Sequence, residues 1–344
     1  MDHVVAPDVV RETLAEYGAM TRAAMQAYFP AAEPGPHLYD LLADYPRRGG
    51  KMMRSSLCIA TARVFGASID DALLSAVAIE LMHNALLIHD DIEDESEQRR
   101  DSPTLHALHG IPLALNTGDA LALLSMRPLF DNFGRIGPRL ALSIVRETER
   151  MAWESAEGQA MELGWRRDNC HNLTDADYLT MVLKKTCWLA SIHPGRIGAM
   201  IGTRDSIDLE PFIRFGFFLG AAFQIQDDLL NLVPDETYGK EPNGDIFEGK
   251  RTLMLNHVYR LSPPPQRRIL AELLDSARAV RTAEQVAWIR ALMEEYGSIA
   301  YARGIAHGLA GAALHEYARI FDCLPDSRDR QFIRGLTHWI FHRA

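Results

Sequence analysis

Two acidic clusters stand far apart in the chain, Asp90-Asp91-Ile92-Glu93-Asp94 and Asp227-Asp228. Each follows an apolar, proline-free run long enough to be a helix, and the Leu/Ala/Met content before Asp90 favours helix over strand. On a helix Asp90 and Asp94 share a face, with Asp91 about 100° round. Carboxylates crowded at the end of a buried helix repel one another and are costly to desolvate unless cations neutralise them. A solvated acidic helix end is the plainer account of either cluster, but it explains two of them poorly. Two such helix faces opposed to each other would hold hard cations through oxygen. Mg²⁺ suits that role best, because it is bound by one or two carboxylates together with substrate phosphate oxygens and water. The pattern predicts a diphosphate held between two acidic helices.

Basic residues of the right kind accompany them. Gly49-Gly50-Lys51-Met52-Met53-Arg54 sets Lys51 and Arg54 three apart at a predicted helix start, where backbone N–H groups already favour an anion. His83 lies two turns before Asp90 and shares its face. Arg99-Arg100 follows the first cluster, Lys184-Lys185-Thr186 sits inside an apolar helix, and Lys240, Asp245 and Lys250 fall in a glycine-rich loop. Singly, each is matched by a bland alternative: a solvated cation, or a hydrogen-bonded core histidine. Together they could serve two diphosphates, one held by cations on carboxylates plus Lys and Arg, the other by Lys and Arg alone.

The elements that must position these groups read as helices almost throughout. Helices are expected over 8–29, 51–65, 69–94 with Ser68 as N-cap, 113–130, 139–163, 175–192 and 206–232. Residues 234–250 form the one long internal loop, and helices resume over 252–261, 266–280, 283–296, 299–321 and 328–342. No alternating run bounded by hairpin turns suggests a sheet. The expected fold is all-α, one large helical bundle spanning 1–344 with its site in a central cavity between the Asp-bearing helices. The net charge of −10 argues against a nucleic-acid partner. The four cysteines, Cys58, Cys170, Cys187 and Cys323, have neither zinc spacing nor a disulfide pattern, and read as reduced thiols of a cytoplasmic protein. The N-terminus lacks the pattern of a signal peptide, and charges interrupt every apolar run that approaches membrane-spanning length.

The motifs, in this order and spacing, resemble those of the trans-isoprenyl diphosphate synthases (polyprenyl synthetase family), most closely the geranylgeranyl diphosphate synthases. Asp90-Asp91-Ile92-Glu93-Asp94 resembles the first aspartate-rich motif. Phe223-Gln224-x-x-Asp227-Asp228 resembles the second, and Gly49-Gly50-Lys51-x-x-Arg54 the homoallylic diphosphate motif. The resemblance implies a prenyltransferase that joins isopentenyl diphosphate to an allylic diphosphate. It implies that Asp90, Asp94 and Asp227 ligate Mg²⁺, three ions per active site, with Asp91 and Asp228 as nearby ligands or as groups that support the ligands from behind. Arg99, Lys185, Lys240 and Lys250 would clamp the allylic diphosphate, and Lys51, Arg54, His83 and Arg100 the isopentenyl diphosphate. Lys185, Thr186 and Gln224 would face the developing carbocation. Ala85 and Leu86, one turn before Asp90, with Met82 deeper, would floor the product channel, and a homodimer is expected. Two positions depart from the pattern: Asn231 stands where an aspartate is frequent, and Met52 where an arginine is. A class I terpene cyclase is the first competing reading, but Asn231 and Asp235 fit its second metal motif poorly and it has no use for Lys51, Arg54 and Arg100. A non-catalytic synthase subunit is the second, and such subunits commonly lack an aspartate motif that this chain retains.

Overall fold

The structure is a computed structural model that describes residues 7–232 and 242–342. Among these residues the chain is helical except for one two-stranded ribbon. Helix α1 (Pro7–Gln26) opens it, and the short pieces α2 (Asp40–Leu42) and α3 (Asp44–Arg47) lead to Gly49-Gly50. α4 (Met53–Val64) and α5 (Ile69–Glu93) follow. The Ser68 side chain accepts from the Asp71 N–H while Asp71 accepts from the Ser68 N–H, a reciprocal cap that fixes where α5 begins. α5 is long and apolar enough to cross a membrane by composition, but 61% of its apolar window is buried inside the protein, as for a core helix. Strands β1 (Gln98–Arg99) and β2 (Ser102–Pro103) then pair antiparallel.

α6 (Leu105–His109), α7 (Ile111–Leu124), α8 (Met126–Arg135) and α9 (Pro138–Arg167) come next. The helix expected over 113–130 is two helices, broken at Ser125, whose hydroxyl turns back to the Ala122 carbonyl. Pro128 lies just beyond and cannot donate to the preceding turn. α10 (Asp175–Val182) runs into a π-helical stretch, Leu183–Ile192, and on into α11 (His193–Thr203). α12 (Glu210–Asn231), α13 (Gly244–Glu248) and α14 (Leu253–Leu261) follow, then α15 (Pro264–Asp275), α16 (Ala283–Glu295), α17 (Ser298–Phe321) and α18 (Arg328–Trp339).

α5 and α12 are the central helices, and their apolar faces explain it. α5 packs on α4, α7 and α8, and α12 on α17 and the π-helical stretch. One apolar cluster joins α4, α11, α12 and α18 through Leu57, Ile197, Phe215 and Phe332. A second gathers Trp188, Ile225, Leu255 and Ile289. A third lies along α5 with Leu81, Ala85, Ile88, Leu121 and Tyr45. Burying each such Leu, Ile or Phe side chain contributes roughly 1.5–3 kcal/mol. The ends of α5 and α12 carrying Asp90 and Asp227 are thus held by packing on helices that do not themselves bear the acids.

Candidate active site

Asp90 and Asp227 line one cavity of about 680 Å³, enclosed by α5, α9, α10, the π-helical stretch and α12. Its polar end also holds Asp228, Asp245, Glu162, Lys185, Lys250 and Arg99. Arg54, His83 and Arg100 line it as well. Leu86, Ala160, Met181, Leu189 and Phe223 give it an apolar wall.

Charge is finely opposed here. Lys185 Nζ lies 3.1 Å from Asp90 and also pairs with Glu162. Lys250 Nζ is 2.9 Å from both Asp94 and Glu248. Burial alone would push Asp90 upward, but Lys185, Lys250 and Arg99 hold it well below the usual carboxylate range. Burial likewise lowers His83, with Arg54 and Arg100 adding to the effect, so its imidazole is neutral. The second acidic helix is balanced differently. Burial first, and then Asp245, push Asp228 up to about 8, although Tyr178 donates to it at 2.7 Å and Gln224 at 2.7 Å. Thr186 in turn donates to Gln224 at 2.9 Å, so Thr186, Gln224 and Asp228 form one chain of hydrogen bonds along the cavity wall.

The π-helical stretch presents Lys185 and Thr186 together. Its backbone runs so close to α9 that a Cβ on Gly158 would lie 2.1 Å from the Lys185 nitrogen, so only glycine fits there. Gln159 and Glu162, on that same part of α9, face the cavity, and Gln159 bonds Glu93. Neither appears among the sequence-predicted residues. A glycine inside an otherwise helical stretch, Glu157-Gly158-Gln159, is the signal that marks the close approach.

Several sequence-predicted residues stand elsewhere. Asp91 does not line the cavity: it is fully buried, accepts from Tyr45 at 2.5 Å, and pairs with Arg99, whose Nε is 2.9 Å away. It holds Arg99 and does not face the cavity. Asp94 is also turned inward, gripped by Arg166 at 2.5 Å and by Lys250. Lys51 is directed away from Arg54 into a separate 330 Å³ pocket, its ammonium 5.5 Å from the Trp339 ring centre. The cause lies in the backbone, which is left-handed at Met52 (φ +53°) so that α4 begins only at Met53. Lys51 and Arg54 are therefore not on one helical face. Ala85 points to the third apolar cluster, toward α7, and not into the cavity, whereas Leu86 lines it and Met82 packs beside it against the second cluster. The step from Ala85 to Leu86 rotates the side chain by about 100°, which spacing back from Asp90 does not weigh. Asn231 is buried and accepts from the Asp245 N–H at 3.1 Å, anchoring the chain as it returns to the cavity. Lys240 lies outside the described residues.

Residues 35–293 match the model of the polyprenyl synthetase family. The chain belongs to the polyprenyl synthetase family. It is thus a trans-prenyltransferase. The short chain isoprenyl diphosphate synthase of Methanothermobacter thermautotrophicus is 34% identical over 259 residues, covering 75% of this chain and 77% of that one. The crystal structure of geranylgeranyl pyrophosphate synthetase from Pyrococcus horikoshii is 29% identical with a TM-score of 0.83, over 97% of this chain and 99% of that one. A polyprenyl synthase from Caulobacter crescentus, solved with calcium and isoprenyl diphosphate, is 25% identical with a TM-score of 0.85, over 100% and 99% of the two chains.

The donor set fits hard cations. Among the described residues no three acidic, histidine or cysteine side chains converge as a ready-made metal cage. Asp90 on one side and Asp227 and Asp228 on the other suit ions that also take phosphate oxygens and water. Burial, and then the nearby Asp245, disfavour the ionised form of Asp228, and a cation beside it would favour that form. A carboxyl whose folded value lies above its unfolded one, about 3.9, disfavours the ionised fold, so the cost appears as pH rises past the unfolded value. Metal-free protein should therefore lose thermal stability between about pH 4 and 8. In thermal unfolding in chelator across this range, Asp228→Asn should reduce that loss, with buried Glu248, pushed up to about 7, supplying part of the remainder. A variant with the wild-type pH dependence would show that Asp228 is not the strained group.

Proposed function

We propose that the protein condenses isopentenyl diphosphate with an allylic diphosphate, dimethylallyl, geranyl or farnesyl, head to tail, with geranylgeranyl diphosphate as the main product and Mg²⁺ as the cofactor. One observation carries this reading: a single cavity is lined by acids from both α5 and α12, by Arg54, Arg99, Arg100, Lys185 and Lys250, and by apolar side chains such as Leu86, Leu189 and Phe223. The calcium and isoprenyl diphosphate bound by the Caulobacter relative support a site of this kind.

Asp90, Asp227 and Asp228 would hold Mg²⁺, with Asp94 available once Lys250 turns to a phosphate. Bound there, the ions would neutralise charge building on the leaving diphosphate. Lys185, Lys250 and Arg99 would bind the same diphosphate, since all three line the cavity close to Asp90 or Asp94. Positive donors fixed where negative charge develops stabilise the transition state without reorganising. The Thr186 hydroxyl, the Lys185 carbonyl and the Gln224 side chain would face the allylic cation left behind. Arg54, Arg100 and neutral His83 would hold isopentenyl diphosphate so that its alkene lies against that cation, a matter of orientation between two bound substrates. No side-chain base is required, because the released diphosphate can accept the final proton. The chain would work as a homodimer, as its family resemblance implies.

Incubating purified protein with Mg²⁺, isopentenyl diphosphate and each allylic primer, with products separated by chain length, tests the whole reading. Consumption of an allylic diphosphate without isopentenyl diphosphate would instead identify a cyclase. The two cation groups should also separate kinetically. Arg54→Ala or Arg100→Ala should raise KM for isopentenyl diphosphate about tenfold or more, the size of one lost charge-assisted phosphate contact. The allylic KM should move far less, and Lys250→Ala should reverse the preference. Lys51→Ala should have a smaller effect than Arg54→Ala, since Lys51 is turned toward Trp339. Equal shifts for both substrates in all these variants would show the groups to be wrongly divided.

A further inference from the structure

Arg99 and Arg100 are adjacent in sequence but are assigned to different diphosphates, so something must hold each side chain apart from the other. They sit at a hairpin turn between β1 and β2. Gln98 pairs with Pro103 and Arg99 with Ser102, leaving Arg100 and Asp101 as a two-residue loop. Both loop residues have positive φ, +54° and +58°, as a type I′ turn demands, although neither is the glycine or asparagine that adopts it readily. A turn of this kind persists only where its surroundings over-determine it.

Those surroundings come from α3 and the residue after it. Arg48 donates to the Arg99 carbonyl at 3.1 Å and to the Ser102 carbonyl at 3.4 Å, and is itself held by Asp44 at 2.7 Å. Tyr45, 1% exposed, reaches both arginines by different atoms. Its backbone carbonyl accepts from Arg100 Nη1 at 2.8 Å. Its hydroxyl donates to Asp91 at 2.5 Å and accepts from the Leu105 N–H at 3.3 Å, while the same Asp91 carboxylate receives the Arg99 guanidinium. The floor on the other side of Arg100 is Gly50, where a Cβ would come within 3.0 Å of the guanidinium.

We propose that Tyr45 is a positioning residue for both diphosphate sites, fixing Arg99 through its hydroxyl and Asp91, and Arg100 through its carbonyl. Asp91 is then a strut in this relay rather than a ligand. The carboxylate engages the one edge of Arg99 formed by Nε and Nη2 and does not take up Nη1. Without the hydroxyl, Asp91 has one fewer donor and the buried pair can rotate, so Arg99 loses its fixed direction. The carbonyl, and with it Arg100, is unaffected by that change.

Because the two functions belong to different atoms of one residue, a single substitution separates them. Tyr45→Phe removes the hydroxyl and keeps the ring and the carbonyl. Dissociation constants are measured by calorimetry, one substrate at a time and without turnover. The probes are a non-ionising thiolo analogue of geranyl diphosphate, and isopentenyl diphosphate. The first should weaken about tenfold, the size expected for loss of a bond that orients a charged donor. The second should stay within about twofold, since Arg100 keeps its partner. In an Arg99→Ala background, Tyr45→Phe should add nothing to the loss of analogue binding, because its route is already cut. Equal weakening of both ligands, unchanged binding of the analogue, or additive losses in the double variant would each overturn the proposal. A structural role alone would lower the unfolding midpoint without this split. The inference rests on the two-substrate reading above. If wild-type protein binds both diphosphates but does not join them, that reading fails while the Tyr45 result still stands.

Discussion

Asp90→Ala and Asp227→Ala should each lower turnover by about three orders of magnitude or more, while the fold measured by circular dichroism stays intact. Losing one fixed stabilising donor in an enzyme site costs about 10²–10³ in rate. A carboxylate that holds an ion serving the leaving group should cost at least that much. The form of the loss is as informative as its size. Asp90 lies 3.1 Å from Lys185 and 3.6 Å from Arg99, so it competes with substrate for the cations that would bind the diphosphate. Removing it frees both cations. The allylic KM should therefore rise little or even fall, while kcat collapses and the Mg²⁺ needed for half-maximal rate increases. That signature separates loss of transition-state stabilisation from loss of substrate binding. Asp90→Asn keeps the shape and removes the charge, and should resemble Asp90→Ala if the charge is what matters. Near-normal turnover in either alanine variant would remove the metal assignment altogether.

Some helix ends were legible because local physics decides them: the Ser68 cap and the apolar run behind it place α5 to within a residue, and α10 begins at the expected Asp175. Others were not: the stretch expected as one helix over 175–192 turns π-helical from Leu183, and the helix expected over 266–280 stops at Asp275. The paired acids pointed to Asp90 and Asp227, and the motif resemblance added Lys185, Gln224 and Lys250; all five line one cavity. What spacing could not supply was direction. Asp91 and Lys51 lie within recognisable motifs and Ala85 one turn before one, and none of them lines the cavity. Asp91 is held by Tyr45 and Arg99, Lys51 is turned by the left-handed Met52, and Ala85 faces away by helix phase. Tyr45 is 46 positions from the Asp91 it supports, and nothing about a tyrosine before a glycine pair announces that contact. The β1–β2 ribbon was equally hidden, since two-residue strands are too short to show alternation and Arg100-Asp101 is not a usual turn pair. Asn231 shows the reverse case. It departs from the motif, and its place beneath the Asp245 N–H gives it a structural task that an amide oxygen performs as well as a carboxylate.

Direction also bears on the product, and Leu86→Phe should shorten it, to fifteen carbons if the wild-type product is the proposed twenty. A growing isoprenoid tail must run from Asp90 into apolar surroundings, and on α5 both Leu86 and Leu87 line the cavity one turn back, Leu86 packing with Met82 on the second apolar cluster and Leu87 on the third. Leucine leaves the path open at that point, whereas a phenyl ring there would meet the tail with Leu189 and Phe223 already forming other parts of the wall. Leu86→Ala should have the opposite effect and admit longer products, with Met82 the next side chain along the helix. Ala85→Phe is the decisive control. Ala85 is fully buried against Leu81, Ile88 and Leu121, so a ring inserted there would overpack that cluster. Stability should fall by about 1–3 kcal/mol, with the product length retained in the protein that folds. Chain lengths from the three variants, with unfolding midpoints alongside, distinguish the two faces of α5. If Ala85→Phe shortened the product and Leu86→Phe did not, the tail would follow the α7 side of the helix, and the channel assigned to the cavity would be wrong.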